Sequence, residues 1–163
     1  TASGLFRLYA LGTGSYNQAP IGLVDIFHPL KLRLTCPTQH VQGSGSSSIG
    51  RTISLSLTMS SDPGLPYQVG TSLGTGPVTI GNRQLHLSID PLLVLTVTNK
   101  LPMVFRNYSG YLDGSGKAAA SIAIPNVSAL IGLRLHTAFV TIKSGVPLNV
   151  NSISNTFTFT VSK

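Results

Sequence analysis

Short segments alternating strictly between apolar and polar residues constrain this chain more than any other feature. In Arg51–Met59, Ile53, Leu55, Leu57 and Met59 share one face, and Thr52, Ser54, Ser56 and Thr58 share the other. Gln84–Ile89 places Leu85, Leu87 and Ile89 inward, and Thr156–Val161 does the same with Phe157, Phe159 and Val161. A period of two belongs to half-buried strands, because successive side chains leave a strand on opposite sides. Leu133–Ile142 is apolar on both faces towards its end, as expected of a central strand whose outer face is also covered. The spacing predicts further strands over 5–10, 23–27, 31–35, 67–69, 93–98, 103–106, 109–112 and 117–124. Glycine and proline, 27 residues together, interrupt these segments at short intervals. Turn signals stand at Asp62-Pro63-Gly64, Gly81-Asn82, Asn99-Lys100, Asp113-Gly114-Ser115-Gly116 and Ser144-Gly145.

No ten-residue helical period occurs. Asp90-Pro91 offers an N-cap and a proline at the first helical position, which predicts at most one helical turn before a strand. Val127–Gly132 predicts a second single turn. Gly43–Gly50 (GSGSSSIG) reads as a flexible surface loop. The expected fold is therefore all-β, a β-sandwich of jelly-roll-like or Greek-key type with at most single-turn helices. Its 163 residues suit one domain over 1–163, in which 1–12 is an edge or strand-exchange segment.

Charge narrows the chemistry. Lys and Arg number 11 against four acids, Asp25, Asp62, Asp90 and Asp113, and no Glu occurs. The excess of +7 comes from missing acids, and the cations are scattered rather than clustered. A nucleic-acid footprint needs clustered cations with aromatics for stacking, so nucleic acid is not the expected partner. Glycoside hydrolysis needs two carboxylates flanking one bond. Asp62, Asp90 and Asp113 all stand in turn or cap positions, while Asp25, in an apolar run, would pair with Arg33 or cap a turn. The sequence Asp113-Gly-Ser-Gly-Lys117 lacks the further acids of a calcium loop. His28, His40, His86 and His136 form no constellation with a nucleophile, and His86 and His136 read as strand histidines. Cys36 is the one cysteine; it reads as a small buried hydrophobe, with an intermolecular bridge as the sharper alternative. The expectation is no enzyme, no cofactor and no metal. Asn107-Tyr-Ser and Asn126-Val-Ser match a glycosylation acceptor pattern that Ser-rich chains produce by chance. No apolar run approaches the ~18 residues of a membrane span. Residue 1 is Thr, which fits removal of a secretory signal.

Over residues 66–162 the order of elements resembles a module common at the C-termini of secreted planctomycete proteins. The resemblance rests on Leu112-Asp113-Gly114-Ser115-Gly116 leading into Ala118–Ala120, on Ile124-Pro125-Asn126 with Ala129–Leu133, and on Ser152–Asn155. Leu8–Gly14 is a weaker match to the start of the module. The resemblance implies a β-sandwich and export, and no activity or catalytic residue. The Asp-Gly-Ser-Gly stretch is expected to turn a hairpin between strands 109–112 and 117–124, and Ala118–Ala120 to sit where sheets approach closely.

The functional expectation is a secreted structural subunit that self-assembles into an extracellular filament, fibre or surface lattice, as a homo-oligomer or polymer. Low charge lowers the cost of burying protein surface against protein. The assembly candidates are Leu5, Phe6, Leu8, Tyr9, Phe157, Phe159 and Val161, in two terminal strand-like segments that could meet an open sheet edge. The alternative is a polysaccharide- or envelope-binding module that stacks sugars on Tyr9, Tyr16, Tyr67, Tyr108 or Tyr111, with Arg106 or Arg83 beside them. A second alternative is a jelly-roll coat protein of a small virus.

Overall fold

The computed structural model describes residues 39–163. The segments expected at 5–10, 23–27 and 31–35 lie outside the described residues. So do Asp25, Cys36 and the assembly candidates Leu5, Phe6, Leu8 and Tyr9.

Two antiparallel sheets form a β-sandwich. The first has the order β1 (Gln39–Gly45), β2 (Thr52–Met59), β8 (Lys117–Ala123), β6 (Phe105–Arg106). The second runs β10 (Val150–Ile153), β9 (Arg134–Ile142), β3 (Pro66–Ser72), β7 (Ser109–Tyr111), with β11 (Phe157–Thr160) also paired to β9. A hairpin of β4 (Pro77–Ile80) and β5 (Arg83–His86) stands apart from both. The alternation in β2 is realised residue by residue: Ile53, Leu55, Leu57 and Met59 are buried and Thr52, Ser54 and Ser56 are exposed. These four meet Val41, Ala120 and Ile122 from their own sheet, and Tyr67, Val69, Leu135, Phe139 and Phe159 from the facing one. Each fully buried Leu, Ile or Phe contributes roughly 1.5–3 kcal/mol relative to exposure, so this one interior supplies most of the drive to fold.

β9 is the central strand that its composition predicts. Leu135, Thr137 and Phe139 point into the sandwich, while Ala138 and Val140 face Leu85, Leu87, Leu93 and Val97 on the outside. The outer cover is the β4–β5 hairpin together with helix α1 (Pro91–Val97). That helix replaces the strand expected over 93–98. Asp90 caps it, its Oδ1 accepting from the Leu93 N–H at 2.8 Å, and Pro91 occupies the first turn. Leu93 and Val97 are four residues apart and land together on Gly70, where an added β-carbon would lie 2.7 Å from Leu93 Cδ1. The helical spacing was hidden because nearly every residue from 92 to 97 is apolar.

Three further expectations are corrected. Strand β5 stops at His86, and Ile89, expected inward, is 78 % exposed because Asp90-Pro91 starts the helix directly after it. Gly43–Gly45 belong to β1 rather than to a flexible loop, paired with Leu55, Ser54 and Ile53. The Asp113–Gly116 turn makes no hairpin, since β7 lies in one sheet and β8 in the other. It carries the chain across the sandwich instead. The 3-10 turn Ser128–Leu130 stands where a single turn was expected.

Candidate functional site: an apolar opening at one end of the sandwich

The described aspartates and His136 are engaged in structure. Among the described residues no three His, Cys, Asp or Glu come together to hold a metal ion. Asp90 caps α1 and also accepts from the Leu73 N–H at 2.7 Å. Asp113 Oδ1 accepts from Ser115 N, Ser115 Oγ and Lys117 N, which holds its carboxyl below the usual carboxylate range. Asp62, only 4 % exposed, accepts from Thr141 Oγ1 and from Asn151 Nδ2 (2.9 Å). Burial pushes its pKa up, but side-chain hydrogen bonds from Thr141, Asn151, Ser152 and Ser61 together outweigh that and lower it. His136 is buried with Nδ1 2.8 Å from Thr158 Oγ1. Burial, and secondarily the charge of Arg134, lower its pKa.

The aromatic candidates divide. Tyr67 donates its hydroxyl to Asn107 O at 3.0 Å, and the Tyr108 hydroxyl lies 2.9 Å from Thr71 Oγ1. Thr71 Oγ1 is also 2.8 Å from Thr137 Oγ1, so a satisfied polar ladder crosses the interior. Both tyrosines are buried, which raises their pKa values. Tyr111 is 75 % exposed. Arg83 donates to the carbonyls of Asn151 and, at 2.6 Å, Val150, whereas Arg106 is exposed.

Phe159 and Val161 are buried inside the fold, and Phe157 is half-buried against it. Phe159 and Val161 are core residues. Phe157 stacks on Phe159 with ring centres 5.8 Å apart and lies against Gly43 of β1. Phe159 and Val161 would have to leave the interior to make a lateral contact, whereas Phe157 is half-buried.

Hydrogen bonds from outside the sheets cover part of two strand edges. Asn155 mimics a neighbouring strand for β1, its Oδ1 accepting from Val41 N (2.7 Å) and its Nδ2 donating to Val41 O (3.4 Å). Beyond the short β7, β3 donates Val69 N to Tyr108 O, Thr71 N to Thr96 Oγ1 and Leu73 N to Asp90 Oδ2. Unpaired edges recruit other chains, and plugging them is a protection. Asn155→Ala is expected to lose roughly 1–2 kcal/mol. It should also expose the β1 edge, which a urea midpoint and a thioflavin assay for aggregation would report.

One opening among the described residues is lined by apolar side chains alone. Between the sheets, at the end where β8 finishes and β9 starts, lies a cavity of about 180 Å³. Leu92, Leu101, Phe105, Ile122, Leu133 and Val161 are among its walls, and every lining side chain is apolar. Leu101 and Leu133 are exposed at its rim. On the chain around α1, Ile89, Val94, Leu95, Val97, Leu101 and Met103 are all exposed large hydrophobics. Sequence reasoning missed this surface because its residues looked like strand interior. No helix of the described residues is long and apolar enough to cross a membrane. In comparisons with known proteins, the chain matches no family model, no curated protein and no solved structure.

Proposed function

We propose that this protein is an extracellular structural subunit that associates with copies of itself through apolar surface, building a filament, fibre or lattice. One observation carries the reading: six large hydrophobics between Ile89 and Met103 stand exposed in a chain with 9 % charged residues. Contiguous exposed apolar surface marks interaction sites on soluble proteins. Asn155 blocks the β1 edge at Val41, which favours association through faces over strand addition at that point. The likeness of residues 66–162 to exported planctomycete modules supports the extracellular setting.

Light scattering and negative-stain microscopy of the full chain at high concentration test the proposal. The expected result is concentration-dependent assembly that Val94→Lys combined with Met103→Lys abolishes while the thermal midpoint moves by no more than a few degrees. A monomer at every concentration, with no polymer in native material, overturns it. A second reading, binding of polysaccharide or another envelope component, is favoured by the exposed ring of Tyr111. Retention on insoluble polysaccharide that Tyr111→Ala removes would select it.

A further inference from the structure

We propose that the open concavity around the turn from β6 to β7 is a saccharide site, seating one sugar ring and passing the glycan on across Tyr111. The inference rests on the second reading, binding of an envelope polysaccharide, and deepens it by naming the residues that hold the sugar.

Asn99, Arg106, Asn107 and Ser109 are the polar residues lining a concavity of about 590 Å³, and Pro102 and Met103 are among the apolar ones. That volume lies within the ~300–1,000 Å³ of small-molecule sites, which combine apolar walls with a few convergent polar groups. No hydrogen bond ties the side chains of these four polar residues to any other described residue. Asn99 and Asn107 have φ of +53° and +55°. Asn99 closes α1, with Lys100 N donating to Leu95 O at 2.9 Å, and Asn107 turns the chain from β6 to β7. Glycine would meet the backbone demand at both positions, so the turns do not require the two amides. An amide both donates and accepts, a hydroxyl does the same, and a guanidinium donates only. Neighbouring sugar hydroxyls match that set. A phosphate or carboxylate would use Arg106 and leave the accepting oxygens of both amides idle, and a hydrocarbon would strip the guanidinium of water. Met103, 76 % exposed, offers apolar surface to the C–H face of the ring. Ser109 and Tyr111 leave β7 on the same side, because Gly110 between them faces Tyr67, where an added β-carbon would lie 3.2 Å from the hydroxyl. The Tyr111 ring, 75 % exposed, is therefore a platform for the next sugar, roughly 7 Å along the strand from Ser109.

Calorimetric titration of the full chain with the neutral hexasaccharides of glucose, xylose, mannose and N-acetylglucosamine tests the site. At least one of the four is expected to bind. Asn99→Gly and Asn107→Gly keep the left-handed turns and delete the amides, and each should weaken that sugar about fivefold while the thermal midpoint moves by no more than a few degrees. Should either fail to fold, Arg106→Gln, at an exposed position, decides by a loss of the same size. Absence of binding by all four, or affinity unaltered in both glycine variants, overturns the proposal. Binding that Tyr111→Ala removes and both glycine variants retain keeps the envelope reading and sinks the concavity. Met103 also belongs to the apolar stretch proposed for self-association, so oligomeric state is recorded on the same samples. Sugar taken up by Val94→Lys monomers and refused by the assembly supports the site and places it at a subunit contact.

Discussion

Gly116→Ala is expected to destabilise the protein by about 2–5 kcal/mol, read as a lower urea midpoint at unchanged slope. Gly116 has φ +74°, the left-handed region in which a β-carbon costs roughly 1–2 kcal/mol. The added carbon would also lie 2.3 Å from Met59 O and 2.9 Å from Ser60 Cα, both main-chain atoms that no rotamer change can move. Gly116 cannot retreat. Its N–H donates to Asp113 O at 2.9 Å, and its carbonyl accepts from Met59 N at 2.7 Å, at the point where the chain enters β8. Two residues away, Gly114 has nothing within 4 Å of an added β-carbon and no positive φ. Gly114→Ala should change stability by no more than about 0.5 kcal/mol. Equal effects at the two glycines would show that the crossing between sheets does not depend on this approach.

Asp62→Ala is expected to cost about 3 kcal/mol, because the hydroxyl of Thr141 and the amide of Asn151 lose a buried charged acceptor. The carboxylate ties the β2–β3 connection to both β9 and β10, so the loss should loosen that end of the sandwich first, visible as faster hydrogen exchange around residues 141 and 151. The same group makes stability depend on pH. Its folded pKa is depressed below the ordinary 3.8, so the unfolded chain binds the proton first. The stabilisation is fully present above that value and is lost as pH falls through the folded pKa. Asp113 is depressed in the same direction. Wild-type stability should therefore decline below about pH 4, and Asp62→Asn should show a flatter acid profile. A profile as steep as the wild type would assign the acid sensitivity elsewhere.

Much of the architecture is legible in the residues because alternation and burial are the same fact seen twice. Ile53, Leu55, Leu57 and Met59 announce both a strand and the face it buries, since a strand has one way to keep four apolar side chains from water. The doubly apolar end of 133–142 likewise announces a strand covered on both sides. The N-cap at Asp90-Pro91 is a local motif, and it stands as read. Residues 92–97 were legible only as apolar, because six consecutive nonpolar or small residues carry no period with which to separate helix from strand. The candidate surface was least legible. Whether Val94, Met103 or Ile89 is covered depends on what the remainder of the chain brings against it, and nothing in their own neighbourhood records that.

By itself the sequence determined the all-β class, the inward faces of β2 and β11, the central position of β9, the positions of the turns, and the scarcity of groups for acid–base chemistry. All of these follow from residue type and local spacing. Only the tertiary structure decided which sheet each strand joins, that Asp113–Gly116 crosses the sandwich, and that Phe157, Phe159 and Val161 close the interior while Leu101 and Leu133 border an opening. Those outcomes depend on pairings between residues far apart in the chain, where the free energy of burial is shared among many partners and no single segment carries the choice.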